Sequence, residues 1–114
     1  MKRGIKLFFV LAFLAIATLA VPILFASTPF IAVALLVAIT LGFFALTGLN
    51  VENVIVYLVA ILGGPIAEAV AIHFGLWMYA DPAFLGFPIW LPFVWGNAAL
   101  YVLSWKTRII PAFS

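Results

Sequence analysis

Apolar residues run almost unbroken from residue 7 to 26, pause at Ser27 and Thr28, resume at Pro29 as far as residue 49, and resume again beyond the polar stretch GLNVEN (48–53) to residue 79. A hydrocarbon core about 30 Å thick needs about 20 helical residues to cross it. Each run therefore predicts a transmembrane helix, over about 5–26, 29–49 and 53–79. The first is longer than the roughly 7–15 apolar residues of a signal peptide and reads as a span. Pro22 lies close enough to its outer end to bend the last turn without breaking the span. Pro29 suits the first position of the second helix, where a missing N–H costs nothing. The turn between these two helices is so short that it makes them an antiparallel hairpin.

Within the second run, Thr40 and Thr47 can return their hydroxyls to helix carbonyls. Asn50 or Asn53 caps the third helix, and Glu52 sits at the positive end of its dipole. That helix, at 26 residues from 54 to 79, is about 39 Å long at about 1.5 Å per residue, too long to stand straight and upright. Gly63, Gly64 and Pro65 fall near its middle, so the pattern predicts a kink there, facing protein or a cavity. The stretch ADPAFLGF (80–87) carries loop signals between Trp77, Tyr79 and Trp90, residue types that gather at a membrane surface. A fourth helix follows over about 89–106. The expectation is an all-α integral membrane protein, one domain over 1–114, with four transmembrane helices and the third kinked at Gly63-Gly64-Pro65.

Composition strengthens the class and narrows the chemistry. Hydrophobic residues make up 69% of the 114 and charged ones 7%, far from the roughly 45–50% and 25% of a soluble domain. There is no cysteine and one histidine, so neither a disulfide nor a metal site built from this chain alone is expected, and no cofactor is implied. All five cations, Lys2, Arg3, Lys6, Lys106 and Arg108, lie in the two tails. Two short basic tails do not make a nucleic-acid face. Read as topology, they place both termini in the cytoplasm of a prokaryotic inner or plasma membrane, which demands an even number of spans.

Candidate chemistry gathers between residues 63 and 101. Glu68 falls near mid-bilayer by this register, where a carboxyl is costly. With no Lys or Arg between the two tails, desolvation favours its neutral form, a proton donor in waiting; the alternative is a structural hydrogen bond to Thr40, Tyr101 or a carbonyl freed at the break. Depth counting pairs His73 with Asn97 and Glu68 with Tyr101. Trp77, Trp90 and Trp95, with Tyr79, crowd the outer rim as an interfacial belt or as an aromatic box for an apolar or cationic ligand. Glu68 and, less directly, His73 are thus the candidate catalytic groups, and Trp77, Tyr79, Trp90, Trp95, Asn97 and Tyr101 the candidate ligand contacts.

The order Glu68, Gly75, Trp77, Tyr79, Pro82, Gly86, Pro88, Trp95 resembles that of small membrane proteins of carotenoid biosynthesis, the heterodimeric-type lycopene cyclases and carotenoid hydratases. Pro65-Ile66-Ala67-Glu68 is similar to the Pro-x-x-Glu run of the cyclases, with Ala69 in place of a second acid. The resemblance covers about a third of the chain and implies acid chemistry on polyene double bonds beside a sister subunit. The reading that follows is a protein binding an apolar, isoprenoid-like molecule in an aromatic-rimmed cavity over a buried Glu68, its partners the bilayer, that ligand and a homo- or hetero-oligomer. Two alternatives stand beside it: a non-enzymatic accessory subunit of a larger membrane complex, or a proton-coupled carrier working as an oligomer. Whether the chain is an enzyme is left open.

Overall fold

Apolar sequence in lipid must satisfy its backbone internally, and a helix does so within one segment. The computed structural model describes residues 2–113. They form α1 (Lys2–Leu24), α2 (Pro29–Thr47), α3 (Val51–His73), α4 (Leu91–Ser104), a π-helical turn (Trp105–Ile109) and α5 (Ile110–Phe113), in a bundle measuring 45 × 25 × 22 Å. Asn50 is the cap of α3, its side chain accepting the Asn53 N–H at 2.9 Å. Asn53 is buried and donates from Nδ2 to the Gly48 carbonyl at 2.7 Å, tying α3 to the end of α2.

Polar side chains turn inward and apolar ones outward. Thr18, Thr40, Thr47, Asn97 and Ser104 are buried, whereas Phe13, Ile16, Leu41 and Leu62 are each more than 60% exposed. A surface so apolar has its counterpart in acyl chains and not in water. The protein is membrane-embedded, largely apolar and helical. Leu11, Phe43, Leu100 and Ile109 form one buried cluster among α1, α2, α4 and the π turn, and Val21, Ala32 and Leu36 form a second toward the other end.

Two features of the expected fold are corrected. The bundle has four main helices, but among the described residues only α1, α2 and α3 are long and apolar enough to cross a membrane; α4, at 14 residues, is about 21 Å long against a hydrocarbon core of about 30 Å. The second correction concerns α3, which runs uninterrupted through Gly63, Gly64 and Pro65. The kink was expected from excess length and from Pro65 beside two glycines; the excess is absent, and Pro65 sits inside the helix without ending it. The helix stops at His73 and its 23 residues measure about 34 Å. What stops it is Gly75, at φ +77°. The Gly75 N–H bonds the Ile72 carbonyl at 3.0 Å and the Leu76 N–H the Ala71 carbonyl at 3.0 Å, the paired bonds of a Schellman termination. Residues 76–90 then form a loop containing a tight hairpin, closed where the Phe87 N–H donates to the Phe84 carbonyl at 3.0 Å.

Candidate functional site

The early end of α3 changes where Glu68 stands. It lies little more than one turn before His73, so it belongs near the end of the bundle where α3 finishes and not at mid-helix. The loop that leaves Gly75 folds back over it. Tyr79 O–H donates to Glu68 Oε1, and Trp95 Nε1–H, from the second turn of α4, donates to Oε2. Gly64 makes the second contact possible, since a Cβ at that position would collide with the Trp95 indole. Tyr79 also meets Trp90 edge to face, with ring centroids 6.0 Å apart. The phenol of Tyr79 is held well above its ordinary pKa, first by burial and then by its hydrogen bond to Glu68 and that group's charge. It therefore remains a donor at neutral pH.

A second polar cluster lies deeper. Asn97 is fully buried; its Nδ2 donates to the Leu36 carbonyl at 3.1 Å and to Thr18 Oγ1 at 3.4 Å. Its Oδ1 accepts from Thr40. The Thr40 hydroxyl also lies 3.1 Å from the Tyr57 hydroxyl. One asparagine thus connects α1, α2 and α4, and through Thr40 reaches α3. Every buried side-chain N and O among the described residues has a partner, so this cluster has no open valence to offer a ligand.

The structure brings together Glu68, Tyr79, Trp90 and Trp95, and separates the rest. Glu68 meets Tyr79 and Trp95 in place of Tyr101, and Asn97 meets threonines in place of His73. Both errors follow from the register, which shifts when α3 loses the residues after His73. His73 is exposed, edge to face with Phe74 at 5.2 Å. Tyr101 packs against the inner apolar cluster and edges Trp105 at 6.5 Å. Trp77 is 46% and Trp95 38% exposed.

These positions overturn the expected aromatic-rimmed cavity. The tryptophans do not close a rim over an acid: Trp77 faces outward, Trp95 is spent on Glu68 and Gly64, and both Glu68 oxygens are engaged from within the chain. The recess beside Glu68 is walled by Leu19 and Ile23, themselves largely exposed, and so is not an enclosed cavity. The apolar-ligand, buried-acid reading falls with it. Sequence reading missed Thr18, Tyr57 and Arg108 as structural partners. Thr18 and Tyr57 are polar groups inside apolar runs, the signal that could have marked them; for Arg108 nothing local does so.

Between α3 and α4 runs a groove of about 680 Å³, almost wholly apolar, lined by Ala60, Gly63, Ala67, Ala98 and Ala99 with Trp95 at its wall. A side chain at Gly63 would meet nothing within 4 Å.

Comparison with known proteins leaves the chain to be read from its own geometry: no family model, no curated protein and no solved structure matches it, and the isoprenoid and carotenoid expectation finds no support there.

Proposed function

We propose that this chain is a membrane-embedded assembly subunit that pairs with a second copy of itself along the groove between α3 and α4, in a prokaryotic plasma membrane with both termini in the cytoplasm; α4 alone is too short to cross, but the π turn and α5 prolong it to the end of the bundle where Gly4 packs on Ala112. The observation that carries this reading is Gly63. Glycine inside a helix costs about 1 kcal/mol relative to alanine, and the space beyond Gly63 is empty, so nothing within the chain requires the side chain to be missing. A neighbouring helix does. Membrane helices associate where small residues let backbones approach, because lipid supplies no hydrophobic driving force between them. A two-fold pair in which the α3 of each copy lies in the groove of the other closes on itself and leaves no unpaired groove.

The chain has no cysteine, so a single Gly63→Cys reporter is clean. Oxidation in native membranes is expected to give a dimer of this chain, and Gly63→Leu to abolish pairing in mild detergent while leaving the monomer folded. A monomeric wild-type protein with no cross-link at position 63 would overturn the pairing. The orientation is checked by labelling a Lys2→Cys variant with an impermeant reagent, which should fail on intact cells and succeed after lysis.

A further inference from the structure

The two tails, far apart in sequence, meet at one end of the bundle. Gly4 of α1 is buried against the C-terminal segment, where a Cβ would stand 3.1 Å from the Ala112 carbonyl oxygen and 3.3 Å from the Phe113 ring. Beside this contact lies a recess of about 390 Å³ lined by Arg3, Lys6, Leu7, Val10, Leu46 and Arg108. Three of the chain's five cations converge on it, and among the described residues no carboxylate side chain does. Arg108 is held in place: its Nε donates to the Thr47 carbonyl at 3.2 Å and its Nη2 donates to the same oxygen. That oxygen belongs to the last turn of α2, where carbonyls have no helical partner. The π-helical turn Trp105–Ile109 carries Arg108 to it, and π turns inside helices often mark functional positions. Two of the five guanidinium N–H groups are used for anchoring, which leaves the remainder of the fork for an external acceptor.

We propose that this recess binds the phosphate of an anionic glycerophospholipid. The cationic part matches a phosphate: a planar fork from Arg108 beside the exposed charges of Arg3 and Lys6. The apolar part matches what a phosphate alone lacks. Leu7, Val10 and Leu46 continue from the cations along α1 and α2, with Val10 37% and Leu46 38% exposed, so a headgroup seated on the cations lays its acyl chain on these side chains. Basic pockets between membrane helices are the usual receptors for such headgroups.

The test measures lipid retention of the full chain by native mass spectrometry, after delipidation and re-addition of phosphatidylglycerol or phosphatidylcholine, at physiological ionic strength. Wild type is expected to hold phosphatidylglycerol in preference to phosphatidylcholine. Arg3→Gln with Lys6→Gln should weaken that binding by about 25-fold, taking about fivefold per cation at a membrane surface. Lys2→Gln with Lys106→Gln removes the same charge from outside the recess and should change it by no more than about twofold, as screened charges do. Equal losses in the two double variants, or equal retention of the two lipids, would overturn the site. Glycerol 3-phosphate is the third arm. If it displaces the lipid at equal concentration, the ligand is a soluble phosphate and the lipid assignment is wrong; failure to compete supports the acyl-chain contact.

Discussion

The two ends of this bundle treat charge in opposite ways. At the outer end, Glu68 is enclosed by donors from its own chain, Tyr79 from the returning loop and Trp95 from α4. At the other end, Arg3 and Lys6 stand exposed at a recess that no carboxylate side chain among the described residues lines, and Arg108 uses only part of its fork on α2. A charge matched inside the chain serves the fold; a charge left unmatched is available to something outside it. The contrast also explains why the acid, the most conspicuous residue in the sequence, is not where the open chemistry lies.

The hardest blow to the outer end is Glu68→Leu. It strands the Tyr79 hydroxyl and the Trp95 N–H, at about 1–3 kcal/mol for each donor left unpaired, so a loss of about 2–6 kcal/mol in detergent unfolding is expected. Glu68→Gln keeps one acceptor oxygen but turns an amide N–H toward a donor, and about half that loss should follow. If Glu68→Gln is as stable as wild type, the two donors are not holding the acid. Asn97→Leu comes next. It removes three hydrogen bonds from the deep cluster, at about 0.6 kcal/mol each in a membrane interior, for a loss of about 2 kcal/mol in the same measurement. Arg108→Gln takes the guanidinium donors from the Thr47 carbonyl, which keeps only Asn53 Nδ2 at 3.3 Å, and should lower stability by about 1 kcal/mol, whereas Arg3→Gln with Lys6→Gln should stay within about 0.5 kcal/mol of wild type. Were the exposed pair to matter more than Arg108 for stability, the contrast between the ends would fail.

The mildest test is pH. The Tyr79 pKa is raised on folding, so its contribution is fully present below the ordinary phenol value of 10.0 and is lost as pH climbs above it. Thermal stability should therefore show no Tyr79-dependent change between pH 6 and pH 9, by this group's ordinary titration range, and an alkaline fall that Tyr79→Phe removes. An alkaline fall of the same size in Tyr79→Phe would assign it elsewhere.

How far the sequence reaches can be judged from particular residues. The hairpin of α1 and α2 and a cap at Asn50 or Asn53 were legible because each depends on neighbours in sequence, and the structure chooses Asn50. Gly75 was also legible in principle: a glycine after an apolar run that already meets the length of a span is a stop signal. Continuing α3 to Tyr79 passed over it, and that one misplacement produced the false depth of Glu68 and the two wrong cross-helix pairs and, together with Pro65, the false kink. Asn97 was marked as polar and inward, but its partners Thr18 and Thr40 could not be chosen without the packing of three helices.

The chain's own composition determined that it lies in a membrane, since 69% apolar residues have no way to bury themselves within 114, and it determined that all its cations lie in the tails. Those properties depend only on which residues are present and in what order. Tertiary structure decided which polar groups meet. Tyr79 reaches Glu68 because the loop after Gly75 returns over α3, and Arg108 reaches Thr47 and the neighbourhood of Arg3 because α4, the π turn and α5 carry the chain back to the end where it began. Hydrogen bonds and ion-binding recesses depend on separations of a few ångströms between residues tens of positions apart, and helix ends set those separations. Moving one helix end along the chain therefore changes every partner, while the apolar pattern that places the chain in lipid stays the same.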